Sequence, residues 1–588
     1  MNNYLKHISL FKSEIIACIF AIVFYALWLL CSDKFVYKSQ FFYYFFALTI
    51  CILLFYVALQ LCLNKNKPTN IPINILSIIS VLFLFFPLMF KFLTENVEWY
   101  FSISFICVFA LVLLLSFSFS NNYIRKNTVE KTIILFAVAE CIICVLQFFS
   151  VFRQSTFFSV TGSNANPNVT AMFLTLAFPL IVRQFTNSVK TKKIAIILII
   201  VLVLSAMIVL KSRTAFIGLS VVVFVLSIYY LKNRFRKLLI PFIAVGMLAA
   251  FFVSVKLYNF KENSADGRLF VWKVATEMVS KQPLGYGYGM IQGEYNKAQA
   301  MYFANNQTTE TEKRNATYMH NLMNDYLEMF IQGGIVGGVL YLLFILLLIY
   351  YGFKRLKRNL FYVSGILAFA AMSLFNFAFY MPFVVTVFVY YVAQIISSSQ
   401  SPILVKVQKQ SLFSILLIVI GLSVSSYFVL QIRSQFNLTK INESLKEKNL
   451  TKSKILMDRT FHFLGTSELY YRSIGDIYLL DKDYIAAKNH YEQAIKHSPF
   501  PEIIMRKAYC EMRLKNYEQT EHDLLFASNI QPALFQPHYN LMMLYLNTKD
   551  LQRAKEKAGH ILQKDIKIPS ERIDSYKEQA NEILEALN

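Results

Sequence analysis

Charge is scarce in this chain and negative charge scarcer still: Asp and Glu number 35 in 588 residues against 58 Lys and Arg, and charged residues reach only 16% beside 56% hydrophobic. That balance excludes an ordinary soluble globule, whose apolar share is lower. The net charge of +23 is spread over short loops between apolar runs, which excludes a single nucleic-acid-binding patch. Seven of the eight cysteines (Cys18, Cys31, Cys51, Cys62, Cys107, Cys141 and Cys144) lie in or beside those runs and Cys510 lies apart, so there is no disulfide framework. Cys141-x-x-Cys144 has redox spacing, but inside an apolar helix it reads as packing. No acidic cluster offers oxygen ligands to a divalent metal, and the expectation is that neither metal nor cofactor is used. The glycine-rich run Gln282-Pro283-Leu284-Gly285-Tyr286-Gly287-Tyr288-Gly289 lacks the following Lys-Ser/Thr of a phosphate-binding loop. It reads instead as backbone that approaches a ligand or another segment closely. Histidine is nearly missing too: of eight, only His320 falls between residues 8 and 461.

What is present is a series of apolar runs, at 15–30, 41–63, 72–93, 100–120, 132–152, 169–186, 194–210, 215–231, 238–256, 333–351, 360–376, 382–398 and 411–431. Most reach the roughly 17–25 residues that cross a bilayer, and about 12–13 transmembrane helices are expected. Lys6 and Lys12 precede the first run and no clean cleavage site follows, so it reads as an uncleaved span with a cytoplasmic N-terminus. Alternate loops are then basic: Lys65/Lys67, Arg125/Lys126/Lys131, Arg183/Lys190/Lys192/Lys193, Lys232/Arg234/Arg236/Lys237, Lys354/Arg355/Lys357/Arg358 and Lys406/Lys409. Positive residues favour the cytoplasm, which assigns the long polar loop at 258–319 and the C-terminal region to the outside. The runs lack the alternation of an outer-membrane barrel, so the membrane is an inner one. The expected fold is all-α and polytopic, in three parts: N-terminal spans at 1–130, a transmembrane core at 131–431 containing the loop, and a helical region at 432–588.

That last region carries a repeat. Tyr471, Ile474, Gly475, Tyr478, Ala487, Tyr491, Ala494 and Pro499 follow tetratricopeptide spacing, and Tyr484, Tyr517 and Leu551 recur at separations of 33 and 34, the period of that helix pair. Such an array is either a helical scaffold or a groove for a protein partner outside the membrane.

Candidate chemistry gathers near the long loop. His320 opens the segment His320-Asn321-Leu322-Met323-Asn324-Asp325-Tyr326-Leu327-Glu328; on a helix, positions 320, 324 and 328 share one face, so Asn324 and Glu328 are placed to orient the imidazole. A neutral imidazole takes a proton from a hydroxyl as a general base; the competing reading is an interfacial histidine capping a helix. Arg213, in Lys211-Ser212-Arg213-Thr214, and Arg268, in Asp266-Gly267-Arg268, are costly beside a bilayer without a partner. Paired guanidinium groups suit phosphate oxygens, with Lys211 either helping or anchoring its helix; the alternative is snorkelling to headgroups. In Thr161-Gly162-Ser163-Asn164-Ala165-Asn166-Pro167-Asn168, Asn168 is a plausible N-cap and Pro167 holds Asn166 extended. Glu140, near the middle of its span, is an intramembrane acid with a functional or a helix-pairing role, and its depth away from the external face favours pairing.

Taken in order, Gly162…Asn166-Pro167-Asn168, Ser212-Arg213-Thr214-Ala215, Gly267-Arg268, Pro283-Leu284-Gly285-Tyr286-Gly287, His320-Asn321 and Gly333-Gly334-Ile335-Val336-Gly337 resemble the O-antigen ligase superfamily over about residues 130–400. That superfamily includes related polymerases and protein O-oligosaccharyltransferases. The resemblance implies a GT-C-like, inverting, metal-independent transferase that takes glycan from an undecaprenyl diphosphate donor on the periplasmic face. It further implies that Arg213 and Arg268 hold the diphosphate and that His320 activates the acceptor hydroxyl; the residues themselves add Lys211 on the donor side and Asn166, Asn168, Asn321, Asn324 and Glu328 as supporting groups. The acceptor is a lipid A core, another repeat unit or a protein Ser/Thr. The classes weighed against it are a lipid-linked glycan flippase, disfavoured because the hydropathy shows no duplicated halves, and a membrane-tethered scaffold.

Overall fold

The computed structural model describes residues 18–32, 35, 40–63, 69–94, 99–153, 155, 157–234, 237, 262–305, 307–399, 403–407, 409–460 and 467–587. The expected span at 238–256, the start of the long loop at 258–261, and Lys6 and Lys12 lie outside the described residues. The rest is almost entirely helical, a polytopic membrane architecture. In chain order the first helices are α1 Cys18–Cys31, α2 Gln40–Leu63, α3 Ile75–Thr94, α4 Trp99–Ser120, α5 Lys126–Phe148, α6 Pro167–Asn187, α7 Lys190–Leu210 and α8 Arg213–Arg234. Three helices of the loop follow: α9 Glu262–Lys281, α10 Ile291–Asn305 and α11 Glu310–Asn315. The bundle resumes with α12 Asp325–Lys354, α13 Leu356–Ser373, α14 Pro382–Ser398 and α15 Gln410–Lys446. Among the described residues, α2, α6, α7, α8, α12 and α15 are long and apolar enough to cross a membrane. Each expected crossing other than 238–256 falls on one of the bundle helices.

The bundle closes around α14, which is buried along nearly its whole length and contacts α4, α6 and α13. Close approach is made by small residues and stacked rings: Gly365 of α13 faces the Tyr391 ring of α14, and the rings of Phe369 and Phe388 stack at 3.9 Å. In water such contacts would be driven by apolar burial; among lipid tails they are held by packing, which is why small residues mark them. Helix α15 packs along α2, and two short strands, β1 Asn70–Ile73 and β2 Ile403–Lys406, pair antiparallel with Asn70 opposite Lys406.

Two boundaries differ from those read from hydropathy. Helix α12 opens at Asp325, where Asn324 caps it by accepting a hydrogen bond from the Leu327 N–H at 3.1 Å, and breaks at Gly334, so the span expected from about 333 starts at that break and is preceded by a further helical segment. Helix α15 runs on to Lys446 past the expected end at 431, because Leu438 and Ile441 bury against Leu469, Ile474 and Ile477. The boundary expected at 431 thus falls inside one continuous helix.

The polar segment expected as a loop is a small helical lobe with its own core, in which Phe270, Val274 and Met278 of α9 pack against Ile291 and Tyr295 of α10 and against Leu322. The C-terminal helices are α16 Leu450–Asp458, α17 Glu468–Leu480, α18 Tyr484–His497, α19 Pro501–Arg513, α20 Tyr517–Ile530, α21 Gln536–Asn547, α22 Leu551–Gln563 and α23 Glu571–Leu587; from α17 onward each packs on the next. Lys482, Lys515 and Lys549 adopt left-handed φ of 63°, 65° and 60°, each two residues before Tyr484, Tyr517 and Leu551, so the same turn geometry returns at the sequence period. The array docks on the lobe: Ala300 of α10 joins Ile504, Leu524 and Ile530 in one core.

Candidate functional site

The turn between α7 and α8 is very short. Lys211 closes α7 in the left-handed region at φ 50°, with its side chain exposed, and Ser212 accepts a hydrogen bond from the Ala215 N–H at 3.4 Å, starting α8. Arg213 is therefore held half-buried on the first turn of α8. Arg268, also half-buried, comes from α9. Burial, and after it the positive charge of Arg213, lowers the pKa of Arg268. Two guanidinium groups from separate elements thus lie within range of each other's charge, and no carboxylate is among the causes that shift Arg268. One helical turn beyond Arg268, the Trp272 indole N–H donates to the Leu322 carbonyl at 3.2 Å, tying α9 to the segment that carries His320.

His320 is not on a helix. Met323 takes a left-handed φ of 53° and Asn324 caps α12, so the expected shared face of 320, 324 and 328 does not form. Instead the His320 Nδ1 lies 3.2 Å from Gln292 Nε2 of α10, the Tyr318 ring stands edge-on at 5.2 Å, and the residue keeps an exposed edge. Packing of the ring lowers its pKa from the ordinary 6.5, favouring the neutral imidazole. Glu328 is turned away, buried, and accepts from the Leu322 N–H at 2.6 Å. The Asn321 Oδ1 is buried and has no hydrogen-bond partner among the described residues. Neither Asn324 nor Glu328 therefore orients the imidazole as expected; Gln292 stands there.

The 161–168 turn is organised from α5. Gln147 Oε1 accepts from the N–H groups of Thr161 and Gly162, both at 2.8 Å, and its Nε2 donates to the Gly162 carbonyl at 2.8 Å. Glu140 accepts from the Ser163 N–H at 2.9 Å, from the Ser163 hydroxyl and from the Tyr25 hydroxyl at 3.0 Å. The turn folds down onto Glu140, so this acid is not remote from it as its mid-helix position suggested. Asn166, not Asn168, is the N-cap: its side chain accepts from the Asn168 N–H at 3.0 Å with Pro167 at the first helical position. Gly162 has φ +74°, and a Cβ there would meet Glu140 Oε2 at 2.5 Å and Thr170 Oγ1 at 2.6 Å. Gly162→Ala is expected to destabilise the purified protein by about 1–3 kcal/mol from the backbone strain alone; an unchanged melting temperature in detergent would contradict this role for the turn.

Two groups that sequence reasoning missed lie in α12. Asp325 is fully buried and accepts from the Phe379 N–H at 3.0 Å, fixing the short turn before α14; its signal was an acid opening an apolar run. Gln332 has no comparable signal: its Oε1 accepts from the Gly289 N–H at 2.8 Å and its Nε2 donates to the Tyr380 hydroxyl. It belongs to a larger junction where α12 breaks at Gly334 (φ 64°, ψ −166°). There the glycine-rich run enters: the N–H groups of Tyr286 and Gly287 donate to the carbonyls of Ile331 and Gln332 at 2.8 and 3.1 Å, and the Ile335 N–H donates to the Pro283 carbonyl at 2.9 Å. The close approach expected of that run is to another segment of backbone.

Residues 197–342 match the family model of the O-Antigen ligase. The matched stretch runs from α7 through Lys211, Arg213, Arg268 and His320 into α12, and it supports the O-antigen ligase superfamily and its glycosyl-transfer class. No curated protein matches the chain.

Proposed function

We propose, from the likeness of residues 197–342 to O-antigen ligases, that this chain transfers glycan from an undecaprenyl-diphosphate-linked donor to an acceptor hydroxyl on the periplasmic face of the inner membrane. The observation that supports the proposal is that the charge of Arg213, on α8, reaches Arg268 on α9, the helix that Trp272 ties to the segment carrying His320. Arg213 and Arg268 bind the diphosphate oxygens and stabilise the charge that develops on them as the sugar leaves, with Lys211 at the rim. His320 takes the proton of the acceptor hydroxyl as its oxygen attacks the anomeric carbon, inverting that centre. Diphosphate leaves readily once neutralised, so no divalent metal is needed. Asn166 and Asn168 shape the turn at the head of α6, and Asn321 and Asn324 shape the approach to α12; theirs is a structural support.

The C-terminal helices serve as a tetratricopeptide-type array outside the membrane, with the N-terminus in the cytoplasm. Their docking on the lobe favours a second reading of the acceptor, a protein Ser/Thr presented through the array in place of a lipid A core; a repeat-unit polymerase shares the same chemistry. In a strain lacking the chromosomal copy, Arg268→Ala is expected to lower glycosylated product by about 10²–10³, with lipid-linked donor accumulating in the outer leaflet and partial recovery in Arg268→Lys. Full product from Arg268→Ala would remove the diphosphate role, and accumulation in the inner leaflet would favour a flippase.

A further inference from the structure

The Nδ1 of His320 faces Gln292 and the residue is exposed, which leaves Nε2 as the ring nitrogen for an acceptor hydroxyl. For Nε2 to accept a proton it must carry none, and the neutral imidazole then holds its hydrogen on Nδ1. That hydrogen requires an acceptor. Gln292 Nε2 has three neighbours: the Tyr318 hydroxyl at 2.9 Å, the Ser498 Oγ at 3.1 Å and the His320 Nδ1 at 3.2 Å. With the NH₂ in that position it donates to Nδ1, which leaves the ring hydrogen on Nε2. Turned half a revolution about Cγ–Cδ, the same amide places Oε1 in that position, where it accepts from Nδ1–H and from a hydroxyl of Tyr318 or Ser498, each able to donate. Only this orientation frees Nε2.

We propose that Gln292 is the positioning residue of His320, presenting Oε1 to Nδ1 and thereby selecting the tautomer with an unprotonated Nε2, and that Ser498 of the C-terminal array holds Gln292 in place. The proposal rests on the reading of His320 as the general base. The array's part follows from its contacts: Ser498 ends α18 and bonds the Tyr318 hydroxyl, the Phe500 ring stands edge-on to Tyr318 at 4.8 Å, and α10 approaches the end of α18 so closely that a Cβ on Gly293 would meet the His497 carbonyl at 3.1 Å. The side chain that meets Nδ1 is the neutral amide of Gln292, and the lowering of the His320 pKa comes from its partial burial. The array is then more than an acceptor-docking surface: its seat on the lobe prepares the base.

The test uses full-length protein in detergent, labelled with ¹⁵N-histidine, with the His320 resonances assigned by their loss in His320→Gln. Wild type is expected to show hydrogen on Nδ1. Gln292→Leu should move it to Nε2, and Ser498→Ala should give a mixture of tautomers. Gln292→Glu, whose carboxylate also accepts from Nδ1 but stabilises the imidazolium, should raise the His320 titration by about one pH unit and carry the acid limb of product formation upward with it. Unchanged spectra in Gln292→Leu and Gln292→Glu would overturn the role of Gln292, and an unchanged spectrum in Ser498→Ala would overturn that of the array. A shifted titration with an unmoved acid limb would support Gln292 while overturning His320 as the base.

Discussion

His320→Ala is expected to cut glycan transfer by about 10²–10⁴ while leaving expression and melting close to wild type, since a positioned general base is worth that much. The chemistry explains the size: the acceptor hydroxyl is a weak nucleophile until its proton is taken, and His320 is the only histidine between residues 8 and 461. The buried acids nearby cannot substitute, because Glu328 and Asp325 are sealed within the protein and committed to the N–H groups of Leu322 and Phe379. The pH dependence has a definite sign. Burial lowers the pKa of the imidazole from 6.5, so it remains neutral, and able to accept, into more acid solution, and the acid limb of the wild-type rate should lie below pH 6.5. The same depression means that the folded protein binds fewer protons here than the unfolded chain, so this group's contribution to stability is present above pH 6.5 and is lost as the pH falls through its folded pKa. His320→Gln separates base from spacer: it keeps a polar group opposite Gln292 and should be as inactive as the alanine variant. Transfer at the wild-type rate in either variant would sink the mechanism.

The largest structural effect is expected from Gly334→Ala. Its φ of 64° with ψ of −166° lies in a region essentially confined to glycine, and a Cβ would meet Leu284 C at 2.4 Å and the Pro283 carbonyl oxygen at 2.5 Å. Those neighbours are backbone and cannot rotate aside. From the other side, Gly285 at φ +91° would bring its own Cβ to 2.4 Å from the Gly334 nitrogen. The strain costs about 1–3 kcal/mol, and each backbone hydrogen bond lost between the 283–289 run and 331–335 adds about 0.5–1.5 kcal/mol. The sum is several kcal/mol, enough to free the lobe from α12. Gly337→Ala is the control, because a Cβ there meets nothing closer than Phe86 Cε1 at 3.4 Å. Limited proteolysis should then cut between residues 262 and 324 in Gly334→Ala and leave Gly337→Ala intact; equal resistance in the two would show that this junction does not hold the lobe.

Hydropathy located the bundle helices because each must satisfy its backbone internally in lipid and so declares itself as an apolar run. It left out the capped segment ahead of Gly334 in α12 and the far end of α15 for a reason of the same kind. An averaged apolar window cannot see a capping side chain such as Asn324, nor an amphipathic extension whose buried face is Leu438 and Ile441. The polar composition of 258–319 concealed a packed lobe, since α9 and α10 bury only narrow stripes against each other. Within the candidate site, Arg213, Arg268 and His320 stood out as polar residues in an apolar context. Gln292 did not. An uncharged amide carries no signature, and its contact with Ser498 spans 206 residues of sequence.

The pairing of β1 with β2, and of α2 with α15, has a consequence for biosynthesis. Asn70 finds its strand partner only when Lys406 has been made, which at about 5–20 residues per second takes tens of seconds. Throughout that interval β1 and the flank of α2 that α15 covers are without those neighbours, so this side of the bundle can close only once its last helix is made. A ribosome stalled before α15 would therefore leave an inserted but unclosed intermediate, exposed to membrane quality control at the very stage when the helical array has yet to be synthesised.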